Sequence, residues 1–310
     1  GGEVRQDPGQ DHCVTEWGYG LRPERLFLRC RRGTIDFRGA LAGRISAAGK
    51  KTGADSTVDT LRTAETVNLL NNLRKVPTQG IMFGHHDDPL YGVGWEGDED
   101  RSDVKSVCGD YPAVMSFDLG HIELEREKSL DNVPFRKIRQ ETINQYKRGG
   151  VVSFSWHLDN PLTGKDAWDV SDTTVVASIL PGGVHHAKFI SWLDAVAAFM
   201  NTLETEEGTK IPVIFRPWHE HTGSWFWWGQ NLCTADQYKA LWRMTHDRMH
   251  ARGVKNLLYA YSPGSEPKDS TAYLERYPGD DIIDLVGFDT YQFDRTQYME
   301  QLDKSLAILT

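Results

Sequence analysis

The sequence predicts an α/β fold of the (β/α)8 TIM-barrel kind, incomplete at its C-terminal end. Three observations predict it. From about residue 58 short apolar runs alternate with helix-periodic segments, and such alternation means a parallel sheet. Six of these units fit between residues 80 and 310 at about 38 residues each, a spacing that suits a barrel of roughly 250 residues. Ionisable or polar residues follow each apolar run directly, and barrel chemistry gathers at the C-terminal ends of the strands. A doubly wound sheet is the weaker alternative, because no Gly-x-Gly-x-x-Gly follows a strand.

Taken in order, residues 1–55 are rich in Gly and Arg and lack a sustained period. They read as an irregular N-terminal extension, with the barrel domain over 56–310. Leu61, Val67, Leu70 and Leu73 then recur at helical spacing. Gly80–Gly84 reads as a short buried strand. Further strands are expected at Ala113–Phe117, Val151–Trp156, Ile211–Phe215, Leu257–Tyr261 and Ile282–Phe288. Between them, Phe135, Ile138, Thr142 and Tyr146 mark a helix stopped by Gly149-Gly150. Phe189, Trp192, Val196, Phe199 and Leu203 mark another, stopped at Gly208, with His185-His186 near its N-terminus. A third opens on Thr234 as N-cap, carries Tyr238, Leu241, Trp242 and Met249, and stops at Gly253. The last runs through Asp294, Tyr298, Leu302 and Leu306. Eight such units would need about 75 more residues than the chain has, so strands seven and eight are expected past Thr310.

Bulk properties narrow the function. The chain has 310 residues, 39% of them hydrophobic, enough to bury a full core. No stretch approaches the roughly 20 apolar residues of a membrane-spanning helix. The chain starts at Gly1 without a charged-then-apolar leader, which reads as a mature or partial chain. A net charge of −9 argues against a nucleic-acid partner, which calls for a basic stripe; the cluster Arg22, Arg25, Arg29, Arg31 and Arg32 has no helical or strand period. An acidic enzyme acting on a neutral polymer fits better. The four cysteines show no Cys-x-x-Cys spacing. Cys108 and Cys233 read as free thiols, and Cys13–Cys30 as a bridge open to an exported protein.

The strand ends carry His85-His86-Asp87-Asp88, then Asp118, His157 with Asp159, His219-Glu220-His221, Ser262, and Asp289 with Tyr291. Charged groups are rarely buried without a partner, so packing alone does not place such a ring. Its densest part is Phe215–Trp228, with six aromatics in fourteen residues. A sugar packs its C–H faces on aromatic rings and its hydroxyls on polar groups, and an indole offers both area and one N–H donor. A carboxyl walled by apolar groups holds its proton more tightly, as protonation of a glycosidic leaving oxygen requires. Glu220 is therefore the candidate general acid, with Arg216 and His219 placed to orient it and Trp225 and Trp228 among the candidate sugar contacts.

Several segments together resemble glycoside hydrolase family 26, whose members include endo-β-1,4-mannanases. They are Gly80–Asp88, Tyr91–Trp95, Gly109–Ala113, Phe154-Ser-Trp-His157, Phe215-Arg-Pro-Trp-His-Glu220, Trp225-Phe-Trp-Trp-Gly229 and Gly287-Phe-Asp-Thr-Tyr-Gln292. The likeness covers about residues 60–310. It implies a retaining glycosidase acting on β-mannan without a cofactor or catalytic metal, with Glu220 as acid/base. It implies that His219 helps hold substrate and nucleophile, that His157 contacts the sugar, that Trp225 stacks near the cleavage point, and that Tyr291 hydrogen-bonds the nucleophile. Arg216 is implied as a group fixing the catalytic carboxylates. The family's nucleophile is a Glu at the end of strand seven, so it is expected beyond residue 310, and the 310-residue chain alone is expected to be inactive. Relatives acting on mixed-linkage β-glucan or xylan, and a non-catalytic glycan-binding protein, are the alternatives. A secreted, periplasmic or cell-surface monomer is expected. His85-His86-Asp87-Asp88 reads as substrate contact or loop capping rather than a metal cluster, and His246 and His250 as residues of an outer helix face.

Overall fold

The computed structural model describes residues 62–291 and 295–309. The extension over 1–55, the domain boundary, the Arg cluster and the Cys13–Cys30 pair lie outside the described residues. Six parallel strands follow one another in chain order across one sheet: β1 (Gly84–His86), β2 (Val114–Asp118), β3 (Val151–Ser155), β4 (Val213–Arg216), β5 (Leu257–Tyr261) and β6 (Leu285–Val286). Helices lie before, between and after them: α1 (Ala64–Leu73), α2 (Asp103–Cys108), α3 (Phe135–Lys147), α4 (Val175–Ile179), α5 (His186–Asn201), α6 (Ala235–Ala251), α7 (Ser270–Leu274) and α8 (Arg295–Leu309). These are six strands of a (β/α)8 barrel. No helix among the described residues is long and apolar enough to cross a membrane.

Strands β2 to β5 are buried at every position, as strands with both faces covered must be. Alternation divides their side chains between two cores. Met115, Phe117, Val152, Phe154, Val213, Phe215, Leu257 and Tyr259 join the large cluster shared with the helices. Val114, Val151, Ile214, Leu258 and Ala260 form a smaller cluster with Leu69 of α1. Two residues on from Val114 and from Val151 come Ser116 and Ser153, then Asp118 and Ser155, which pair in register with each other. Ser155 pairs in turn with Arg216. The interior is thus apolar at the N-terminal end and polar at the C-terminal end.

Local chemistry sets the helix ends. Thr234 accepts the Gln237 amide while Gln237 reaches back to the Thr234 amide, a capping box that starts α6. Ser102 caps α2 by accepting from the Lys105 amide, and Gly109 closes it at φ 84°, a left-handed conformation that glycine adopts freely. α5 begins at His186 with His185 before it, as the sequence predicts. The short helices α2, α4 and α7 are not visible in the sequence periodicity. Two strands shift: β1 starts at Gly84 rather than Gly80, and β6 shrinks to two residues. Cys108 and Cys233 are free thiols.

Candidate active site

The loop leaving β4 is bent twice. Trp218 has φ 56° and Glu220 φ 55°, a left-handed region that non-glycine residues occupy only when their surroundings hold them there. Several bonds do so. The Tyr238 hydroxyl of α6 donates to the Trp218 carbonyl at 2.6 Å. The Trp228 indole N–H donates to the His219 carbonyl at 2.9 Å. The Glu220 amide donates to the Ser262 carbonyl, past the end of β5, at 2.8 Å.

These restraints turn the Glu220 carboxyl toward two donors. The Trp225 indole N–H lies 2.8 Å from Oε2, and the Tyr291 hydroxyl lies 2.5 Å from Oε1. Trp225 reaches this position because residue 223 is glycine: a Cβ there would fall 1.8 Å from the indole ring. With both oxygens gripped, the carboxyl cannot rotate freely about its own axis.

Two histidines stand beside it. His157 Nδ1 lies 2.7 Å from Asp118 Oδ2, and its Nε2 lies 3.0 Å from His219 Nε2. Burial alone would lower His157, but the Asp118 carboxylate outweighs it and holds the imidazole above its ordinary value. Burial likewise opposes the Asp118 charge, yet His157, Ser155 and the Gly120 amide hold that carboxyl well below the usual range. His219 goes the other way: burial, then the nearby charges of Arg216 and His157, hold it far below its ordinary value. These opposite shifts favour His157 as the donor and His219 as the acceptor between the two Nε2 atoms.

Below Glu220, Arg216 donates from Nη1 to Asp289 Oδ2 at 2.7 Å, and Ser262 donates to the same oxygen at 2.5 Å. Burial pushes Asp289 up to about 7 against the pull of Arg216. On the β1 side, burial pushes Asp87 up to about 7. Burial, then repulsion from Asp87 and Asp118, does the same to Asp131.

The predicted residues thus fall into two groups. His157, Trp225 and Tyr291 are partly open, while Arg216, His219 and Trp228 are closed off. Trp228 is fully buried and stacks at 4.5 Å behind Phe226. It corrects the expectation of a sugar contact, because an indole with no free face braces the loop instead. Tyr291 donates to Glu220 itself, where a second carboxylate was expected as its acceptor. Trp168, which sequence reasoning did not single out, is 49% exposed and stacks on His157 at 5.4 Å with 7° between the rings. Its lone position in a polar loop gave no periodic signal. His246 and His250 lie on α6 with ring centroids 4.1 Å apart, and His246 packs on Tyr259.

Comparison with known proteins bears on this geometry. Residues 58–309 match the family model of glycosyl hydrolase family 26. A mannan endo-1,4-beta-mannosidase of Bifidobacterium adolescentis is 38% identical over 262 residues, covering 80% of this chain and 25% of that protein. A GH26 beta-mannanase structure from Bacteroides ovatus superposes with a TM-score of 0.80 at 61% identity, covering 80% of this chain and 72% of the other. A modular endo-beta-1,4-mannanase from Cellulomonas fimi gives 0.75 at 35% identity, covering 81% and 57%. The chain spans less than two thirds of the length of the curated relatives it matches first. The match over most of the chain and the identity to these structures agree: the chain belongs to glycosyl hydrolase family 26.

Proposed function

We propose that the protein is a retaining glycoside hydrolase that cleaves internal β-1,4-mannosidic bonds, with Glu220 as its acid/base. The observation that carries this is the Glu220 carboxyl at the C-terminal rim, fixed at one oxygen by Trp225 and at the other by Tyr291. Glu220 gives its proton to the glycosidic oxygen as the anomeric bond breaks. A second carboxylate takes the sugar as a glycosyl ester, and Glu220 then removes a proton from the water that hydrolyses it. That pair needs a spacing of roughly 5–5.5 Å. Asp289 is a buried partner of Arg216 and Ser262, which bond its Oδ2. A Glu on a seventh strand, which is not among the described residues, would face Glu220. His157 and the exposed Trp168 face lie where a sugar ring can stack and donate hydroxyls. The named activities of the Bifidobacterium and Bacteroides proteins support mannan as the polymer. A polysaccharide cannot enter a cell intact, so we place the site outside the cytoplasm, secreted, periplasmic or on the cell surface.

Reducing-sugar release by the full-length protein tests this on mannan, lichenan and xylan. Release from mannan is expected to fall by about 10²–10⁴-fold in Glu220→Gln, the usual contribution of general acid–base catalysis. Release from lichenan or xylan alone reassigns the polymer, and unaltered release by the variant removes Glu220 from the reaction.

A further inference from the structure

Beside the Glu220 pocket, three side chains with metal-ligating atoms meet at the rim between β1 and the loop after β2. His86 ends β1, Asp87 follows it, and Asp131 comes from the loop between β2 and α3. One nitrogen of His86 and one carboxylate oxygen of each Asp all lie within 4.8 Å of one another. Ligands held about 2.0–2.2 Å from one tetrahedral ion lie about 3.3–3.6 Å apart. Side-chain movements of up to about 1 Å, on the order of ordinary thermal displacement, would bring the three onto one ion.

The donors are already aimed. His86 Nδ1 lies 3.1 Å from Ser116 Oγ on the neighbouring strand, which leaves Nε2 turned toward Asp87 Oδ2 at 3.5 Å. A ligating imidazole is characteristically fixed in this way through its other nitrogen. Asp87 is held too, because its Oδ2 accepts the Tyr91 hydroxyl at 2.9 Å, and it is 1% exposed. Two neighbouring carboxylates repel unless one holds a proton or a cation lies between them. Among the described residues no lysine or arginine forms an ion pair with either one.

We propose that His86, Asp87 and Asp131 bind one divalent transition-metal ion. One imidazole nitrogen with two carboxylate oxygens suits zinc or manganese, whereas calcium prefers an all-oxygen shell. The ion would tie the end of β1 to the loop after β2 and so steady that rim. It takes no part in the proton transfer at Glu220, so the site stands apart from the glycosidase reading.

Calorimetric titration of chelator-treated full-length protein with zinc or manganese chloride tests the site, with thermal melting alongside. One equivalent is expected to bind with a micromolar or lower Kd and to raise Tm by several degrees. Asp131→Asn, a loop residue that is half-buried, is expected to weaken binding at least tenfold with an unchanged far-ultraviolet circular dichroism spectrum. His86→Gln is expected to do the same, whereas His250→Gln, on the outer helix α6, leaves binding unaltered. Cobalt(II) substitution supplies an independent readout, a visible d–d absorption band lost in both rim variants. Failure to take up either metal overturns the proposal. So does uptake of equal affinity by the wild type, Asp131→Asn and His86→Gln.

Discussion

Glu123 lies 4% exposed just past β2, where it accepts the Trp156 indole N–H at 3.0 Å and the Asp159 amide at 2.9 Å. Burial outweighs these two donors and pushes the carboxyl up to about 7. A raised carboxyl binds more protons in the folded state than in the unfolded one between about pH 4.3 and 7, so stability falls as pH rises through that window. The fall is on the order of 3 kcal/mol, and it is complete above the folded value. Glu123→Gln removes this dependence, while turning its amide NH2 toward one of the two donors costs about 1–3 kcal/mol at every pH. The variant is therefore expected to be less stable than wild type at pH 4.5 and as stable as wild type, or more so, at pH 7.5. Urea denaturation at the two values measures it, and a constant gap would count against a raised Glu123.

At the scale of elements, α6 is the prop of the Glu220 loop. Its Tyr238 is fully buried and supplies the Trp218 carbonyl with its hydroxyl donor, and Thr245 Oγ1 lies 3.2 Å from the Trp218 indole nitrogen. Tyr238→Phe would leave that carbonyl without this bond, at a cost of about 1–3 kcal/mol. Because the freed carbonyl belongs to one of the two left-handed residues, Glu220 should lose its aim as well. Turnover is expected to drop more than KM rises, and steady-state kinetics with a urea midpoint separates this from a purely structural loss. The sequence reveals α6 plainly, through Thr234, its apolar period and Gly253. It also reveals β3 and β5, whose apolar runs match the strand bounds closely. β1 is less legible, because Ile81 and Phe83 are 43% exposed and continue the apolar run outside the sheet. Arg216, His219 and Glu220 stand out in one dense segment, whereas Asp131 sits in an ordinary polar loop. Only the parallel pairing of β1 with β2 brings that loop to His86.

For the whole molecule, the two ends of the barrel divide the work. The C-terminal end carries Asp118, His157, Arg216 and Glu220, and the N-terminal end is closed by α1. Leu69 of that helix packs against Val114, Val151, Ile214 and Leu258, the first inward residues of four strands. Thr63 and Thr66 donate to the Lys255 carbonyl ahead of β5, and Arg62 forks onto Asp284 ahead of β6 at 2.6 and 3.1 Å. The plug therefore joins the first described residues to the last described strand of the sheet. Leu69 is 6% exposed, so Leu69→Ala opens a cavity at the centre of this smaller core. The expected loss is about 2–5 kcal/mol. Each kcal/mol lowers Tm by about 2–4 °C in domains of this order of size. The barrel separates the plug from the carboxyl by its full height, so affinity for a mannooligosaccharide should stay within about twofold of wild type, on the additivity of distant sites. Scanning calorimetry and ligand titration on one preparation check both halves. A weakened affinity at an unchanged melting temperature would show that the plug reaches the Glu220 rim.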